Sequence, residues 1–323
     1  MAIRAAIPVG VRYLVFAPEM TVYDKLAEVV AAVTTPYVLL LSDRKITFPH
    51  GADAALAHLL RHGDHVAAQG YVVGFSTHEN DVDINRVVFF TPTIHDLDPL
   101  RRLYHLMSRY QSRQFSVFRT EPLATSLRQA RLVDGPLFQE IMFMNAMVLQ
   151  GKMARVPNII TLQTTEVSFH LPKDNDPFYW FLADAHSFGS HYLRYRSVLT
   201  QFIRERGIVA PPGTGLEQLV DTIHAVWLRR NFDDGVLNHA VQLQLGDAIA
   251  PLPHPIQAVV RREIGPGDIV GASGSGRRYI WRREVLAAIP QNEINISPRE
   301  AQYINRQLDN YFGYRKDPGG TGN

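Results

Sequence analysis

The first half of the chain alternates segments with strand character and segments with helical character. Residues 21–33 place valine and leucine side chains at helical spacing, and residues 51–63 form a second amphipathic helix. β-rich segments precede, separate and follow these helices. This rhythm predicts an α/β domain of Rossmann-like architecture, with a mostly parallel sheet and helices on both faces. The predicted strands are 11–17, 37–41, 65–75, 86–90, 114–119 and 153–163.

Polar residues follow directly after the apolar strand at 37–41. The sequence there is Ser42-Asp43-Arg44. Ligands of parallel α/β sheets bind beyond the carboxyl ends of the strands. Asp43 is therefore either a solvated strand end or a carboxylate aimed at a divalent metal or a ribose hydroxyl. Oxygen ligands of this kind suit Mg²⁺ or Mn²⁺ bound together with phosphates.

The second half of the chain has a different character. Residues 1–172 are predicted to form the α/β domain, and residues 173–323 a mainly helical C-terminal region. Within that region the glycine- and serine-rich stretch 271–278 is expected to be flexible, and the tail 316–323 is expected to be disordered.

Composition excludes several classes of protein. The 323-residue chain has no cysteine, which excludes disulfides and thiolate metal sites, and its net charge of +2 gives no overall polyanion-binding signature. No apolar run is long enough for a transmembrane helix. The N-terminal segment looks more like a buried strand than a signal peptide, so a cytoplasmic protein is expected.

The order of several motifs resembles a group of bacterial glycosyltransferases of the GT-A type, close to the family-2-like transferases. Thr35-Pro36-Tyr37 and the apolar run to Leu41 lead to Asp43, then to Pro49 and the glycine-containing strand 70–75. "SRYQSRQFSVFRTEPL" (108–123) and "FQEIMFMNAMVLQGKMARVP" (138–157) continue the similarity. The resemblance covers residues 20 to 170.

The resemblance implies transfer of a sugar from a nucleotide-sugar donor to an acceptor hydroxyl. Asp43 would organise the donor side, and Glu140 matches the acidic residue that acts as general base in inverting members. The alternative for Glu140 is a carboxylate that stabilises a helix N-terminus. Where the family has three acidic residues that hold a metal, this chain has one. Arg44 or Lys45 would then contact the diphosphate directly, without Mn²⁺ or Mg²⁺.

Further contacts and two alternative functions remain open at this point. Arg109 and Tyr110, with Tyr104 nearby, lie where donor or acceptor contacts are expected. The first alternative is a non-catalytic relative that binds or assembles and has lost the acidic triplet. The second is a glycosyltransferase acting on nucleic acid, suggested by arginines that flank aromatic residues in the segment 277–283.

Overall fold

The protein is a mixed α/β structure built on one large sheet. The computed structural model describes residues 10–42, 45–78, 80–89, 91–164, 176–245, 269–272, 277–288 and 302–309. The strands are β1 (Tyr37–Leu39), β2 (Lys45–Thr47), β3 (His65–His78), β4 (Asp81–Phe89), β5 (Val117–Arg119), β6 (Lys152–Thr164), β7 (Ile269–Ala272) and β8 (Arg278–Trp281). The helices are α1 (Val22–Ala31), α2 (Pro49–Arg61), α3 (Pro99–Ser108), α4 (Thr120–Ala130), α5 (Pro136–Gln150), α6 (Pro177–Ala183), α7 (Ala185–Glu205), α8 (Leu216–Leu245), α9 (Arg283–Ala288) and α10 (302–309).

Strand β3 is the centre of the sheet. One of its edges pairs with β6, and β2 continues the sheet beyond β6. Its other edge pairs with β5 near the start of the strand and with β4 further along. From there the sheet extends through β5 to β1, and through β4 to β8 and β7. Register shifts interrupt β3 against both β4 and β6, and such bulges bend a sheet.

The α/β class is confirmed, but the mostly parallel sheet was a wrong prediction. Only β3–β6 and β4–β8 are parallel among the described strands, and the other five pairings are antiparallel. The error began between the predicted strands 65–75 and 86–90. Residues 81–85 there form the first part of β4, in which buried Val82 and Ile84 alternate with polar residues. Strand β4 therefore returns antiparallel to β3 as a hairpin.

The N-terminal part of the predicted sheet is also different. Residues 11–17 form no strand, and their apolar side chains are largely exposed, with Val15 at 71%. The segment 37–41 was expected to be a buried strand. It contributes only the three residues of β1, which are half-buried, and Leu41 after them is exposed. Strand β1 pairs antiparallel with β5. Its carboxyl end is therefore not the end of a buried parallel strand.

Helix α5 lies at the centre of the largest hydrophobic core. Nearly all its residues from Phe138 to Leu149 are buried. A helix that is apolar all round must be covered on every side. Helices α1, α3 and α4 and the C-terminal helices α7 and α8 provide that cover, together with one face of the sheet. The C-terminal region thus completes the core of the N-terminal half.

The C-terminal region also contributes to the sheet. Strands β7 and β8 extend it beyond β4, and Tyr279 and Trp281 pack in a second core with α9 and α10. Part of the stretch 271–278, predicted to be flexible, is therefore strand. Residues 273–276 and the tail 316–323 lie outside the described residues. Across the described part of the chain, no helix combines the length and hydropathy needed to span a bilayer.

Helix α2 packs directly on the backbone of β6 at Gly51. A Cβ atom added at Gly51 would lie 2.3 Å from the carbonyl oxygen of Ile159 and 2.9 Å from the Cα of Ile160. Both atoms belong to the backbone of a central strand, so neither can move without disturbing the sheet. The absence of a side chain at Gly51 therefore sets the distance between α2 and the sheet.

We expect Gly51→Ala to lower the free energy of unfolding by about 1–3 kcal/mol, the usual cost of overpacking a core. The better helix propensity of alanine, worth about 1 kcal/mol, opposes this loss. The matched control is Gly63→Ala, because a Cβ at Gly63 meets nothing within 4 Å. That variant should stay within about 0.5 kcal/mol of the parent in urea unfolding. Equal stability of the two variants would contradict the close packing of α2 on β6.

Candidate functional site

The candidate site is centred on the carboxylate of Glu140. Glu140 lies in the second turn of α5, which begins at Pro136 after Gly135, a residue with φ of 79°. A carboxylate in the second turn is too far along the helix to serve mainly as a partner for its N-terminal dipole. The carboxylate is surrounded by protein, yet part of the side chain remains accessible to solvent.

Two tyrosines contact the Glu140 carboxylate. The Tyr110 hydroxyl donates a hydrogen bond to its Oε1 at 3.1 Å. Tyr23, from α1, interacts with the same carboxylate and accepts a hydrogen bond from Nε2 of Gln114. Burial and the neighbouring negative charge of Glu140 raise the pKa of both tyrosines well above the usual value. Both hydroxyls therefore keep their protons and act as donors at neutral pH.

Burial raises the pKa of Glu140 itself. Polar contacts with Tyr110, Ser112 and Tyr23 and the positive charge of Lys45 act in the opposite direction, and they do not overcome the loss of solvation. A carboxylate with a raised pKa holds a proton more tightly than a solvated one. It is consequently a stronger base at neutral pH, which is the property that a general base requires.

Lys45 is the positively charged group of the site. It lies at the start of β2, and its Nζ lies 2.9 Å from the centroid of the Phe115 ring. Burial lowers the pKa of Lys45 to about 7, although the nearby charge of Glu140 acts to raise it. The ammonium group is thus poorly solvated, and an additional anion placed beside it would stabilise its charged form.

The structure brings together three of the residues predicted from the sequence. Lys45, Tyr110 and Glu140 come from β2, the loop after α3, and α5, and they meet around one carboxylate. Asp43 and Arg44, predicted for the donor side and for a metal, lie outside the described residues. The residues on either side of them are joined by a backbone hydrogen bond of 3.1 Å from the N–H of Lys45 to the carbonyl of Ser42.

Two predicted contact residues lie elsewhere. Arg109 ends α3 with its side chain exposed, and Tyr104 is 46% exposed on the same helix. Neither takes part in the described contacts of Glu140. The loop after α3 turns Tyr110 towards α5, whereas Arg109 at the end of the helix stays on the outside.

Sequence analysis missed Tyr23, Ser112, Gln114 and Phe115. Tyr23 lies in an amphipathic helix, where a tyrosine has no feature that separates a site residue from a core residue. The loop residues Tyr110, Ser112 and Gln114 lie at alternate positions of the chain. All three are associated with Glu140 or with Tyr23.

The residues at this site do not suit a divalent metal. In the part of the chain that the structure describes, no group of three histidine or acidic side chains could hold a metal ion. The sequence at the strand end offers one carboxylate, Asp43, between a serine and an arginine, with Lys45 next along the chain. Two cationic neighbours and a single carboxylate make a poor donor set for Mg²⁺ or Mn²⁺.

The C-terminal arginines have carboxylate partners within the fold. Arg278 binds Asp81 through two hydrogen bonds of 2.9 and 2.7 Å. Arg282 binds Asp83 in the same bidentate way, with two bonds of 2.7 Å. The aromatic residues between them, Tyr279 and Trp281, are buried in the second core and present no surface for stacking on bases. These arginines hold β8 against β4.

The sequence of this chain matches no protein-family model and no curated protein.

Lys45 should be unusually reactive towards acylating reagents. Because its pKa is lowered to about 7, the neutral amine is abundant at pH 8, and labelling should rise with a midpoint near pH 7. Peptide mass mapping after brief acetylation measures this rate, with Lys25 as internal reference. In Glu140→Gln the midpoint should move to lower pH, because the charge that raises the pKa of Lys45 is removed. A midpoint that does not respond to Glu140→Gln would contradict the proximity of the two groups.

Replacing the buried carboxylate should stabilise the protein at neutral pH. The pKa of Glu140 is higher in the folded state than in the unfolded state. The contribution of Glu140 to the free energy of unfolding therefore decreases as pH rises from the unfolded-state pKa to the folded-state pKa. Below the unfolded pKa both variants are neutral at this position and should unfold alike. At pH 8 we expect Glu140→Gln to be more stable by about 1–2 kcal/mol, because an amide is cheaper to bury than a charge. Melting curves at pH 4 and pH 8 check this, and a loss of stability at pH 8 would contradict it.

Proposed function

We propose that this protein is a glycosyltransferase, which moves a sugar from a nucleotide-sugar donor to an acceptor hydroxyl with Glu140 as the general base. The observation that carries the proposal is a partly accessible carboxylate of raised pKa, contacted by Tyr110 and accompanied by Lys45. The motif order that resembles GT-A transferases supports the same assignment, since Glu140 belongs to a matched segment and Lys45 lies between the matched residues Asp43 and Pro49.

In the proposed reaction, Glu140 accepts the proton of the acceptor hydroxyl. The acceptor oxygen forms a bond to the anomeric carbon of the donor sugar as the bond from that carbon to the diphosphate oxygen breaks. The diphosphate leaves with the electron pair of that bond. A single base of this kind fits inversion at the anomeric carbon. The hydroxyl groups of Tyr110 and Tyr23 orient the carboxylate and keep their own protons.

The charge that develops on the leaving diphosphate needs a cationic partner. Lys45 is suited to this role, because an anion beside it would restore the charged form of a poorly solvated amine. In this proposal Asp43 organises the donor and Arg44 assists at the diphosphate, as the resemblance implies. Because the donor set does not suit a metal ion, no step of the proposed reaction uses one.

A non-catalytic relative is the second candidate. The observation in its favour is the sequence Ser42-Asp43-Arg44, in which two of the three acidic residues typical of the family are missing. The contacts around Glu140 would then serve to hold α1, the loop after α3 and α5 together. For the hypothesis of transfer to nucleic acid, two of the four arginines that suggested it, Arg278 and Arg282, bind Asp81 and Asp83.

The proposal is tested with a panel of uridine, guanosine and thymidine diphosphate sugars, with and without manganese. Binding is followed by calorimetry and donor cleavage by release of the nucleoside diphosphate, which needs no knowledge of the acceptor. We expect one donor to bind without manganese. Glu140→Gln should retain that binding within about threefold and lose about 10²–10⁴-fold in turnover, the usual contribution of a general base.

The matched control is Glu205→Gln, which changes an exposed glutamate at the end of α7 and should leave turnover unchanged. Full turnover in Glu140→Gln would remove the general base from the proposal. If no donor of the panel binds at millimolar concentration, the transferase proposal is wrong and the non-catalytic candidate is favoured.

A further inference from the structure

A buried arginine outside the Glu140 site lacks acceptors for most of its N–H groups. Arg113 lies in the loop between α3 and β5 and is only 2% exposed. Its Nη2 donates to the carbonyl of Pro92. Its Nε and Nη1 atoms are buried and have no hydrogen-bond acceptor among the residues that the structure describes. A guanidinium group carries five N–H donors, so one carbonyl leaves most of them unsatisfied.

The surroundings of Arg113 add positive charge. Burial, and to a lesser extent the charge of Arg155, lower the pKa of Arg113 to about 9. Arg155, on β6, is half-buried and lies over the ring of Tyr71 at 5.2 Å. Buried charges in proteins are normally paired, because an isolated one costs several kcal/mol in lost solvation. Arg113 is therefore an exception that requires an explanation.

A second buried donor lies beside these arginines. Gln69 on β3 is 1% exposed, and its Oε1 accepts a hydrogen bond of 2.8 Å from the Thr91 hydroxyl. Its Nε2 is buried without an acceptor. Even with the amide turned over, Gln69 would offer one neutral acceptor and no negative charge. It does not replace a counter-ion for Arg113.

Gln69 and Arg113 contact the three residues 91–93 through their side chains, and Arg155 contacts them through its backbone N–H. Thr91 contacts Gln69, the carbonyl of Pro92 accepts from Arg113, and the Thr93 hydroxyl accepts a 3.1 Å hydrogen bond from the backbone N–H of Arg155. Gln69 and Arg155 also face each other in the register of β3 and β6. Thr93 is partly accessible, so the cluster lies one layer below the surface.

We propose that Arg113, with Gln69 and Arg155, binds an oxyanion of the phosphate class. Two adjacent guanidinium groups match a divalent anion, and the planar fork of arginine matches the oxygens of phosphate. The Pro92 carbonyl, which accepts from Nη2 of Arg113, is the acceptor that the anion would replace. The inference goes beyond the proposed transferase reaction, which assigns no role to Arg113, Gln69 or Arg155.

The test measures melting temperature and calorimetric binding with inorganic phosphate, pyrophosphate and uridine diphosphate, each compared with sodium chloride at equal ionic strength. The parent should be stabilised by pyrophosphate through mass action. Arg113→Met should bind at least about tenfold more weakly, since a charge-assisted bidentate contact is lost. Without ligand, Arg113→Met should melt at or above the temperature of the parent, because it removes an unpaired buried charge; a merely structural arginine would give the opposite shift.

The matched control is Arg109→Met, which removes an exposed arginine beside the same loop and should bind as the parent does. If Arg113→Met does not fold, Arg113→Lys keeps the charge without the fork and should still weaken binding. Arg113-dependent binding of uridine diphosphate would identify a nucleotide ligand, and binding of the inorganic anions alone would identify a free anion. The proposal is overturned if no anion stabilises the parent beyond chloride, or if the Arg113 variants bind as tightly as the parent.

Discussion

The parallel pairing of β3 with β6 is the constraint on which the rest of the structure depends. It joins residues 65–75 to residues 152–164, and both strands are buried over most of their length. Helix α5 runs directly into β6 through Gly151, so the pairing fixes where α5 lies above the sheet. The position of Glu140 therefore depends on the sheet. Residues of the loop after α3 and of helix α1 contact the Glu140 carboxylate.

The proposals for function rest on polar groups that are buried in this structure. A core of this size could be built from apolar residues alone, and burial of a carboxylate, a lysine and an arginine costs solvation that their described partners only partly restore. By contrast, Arg119 is half-buried and donates to the carbonyls of His65 and Leu59 at 2.8 and 2.7 Å, as a structural arginine does. The comparison distinguishes Arg119, which donates to backbone carbonyls, from Arg113, whose Nε and Nη1 have no acceptor among the described residues.

Local patterns predicted most elements but not their arrangement. Helices α1 and α2 and strands β3 and β6 were predicted close to their observed bounds, because amphipathic spacing and helix-ending residues act within a few positions of the chain. The alternation of Val82 and Ile84 with polar neighbours was present but was obscured by the turn-forming residues around it. Strand direction was predicted wrongly because it depends on connections between distant segments. The exposed segment 11–17 was misassigned because β-rich composition does not ensure that a strand finds a partner.

The sequence by itself determined which residues can carry chemistry and that the chain alternates helix and strand. Glu140, Lys45 and Tyr110 were all candidates on that basis. Only the tertiary structure decided that these three meet, that Arg109 stays outside, and that Tyr23 joins them from α1. The same holds for Arg113, which has no distinguishing pattern in the sequence. The physical reason is that burial and the absence of an acceptor are properties of packing, and packing between distant segments leaves no local trace in the chain.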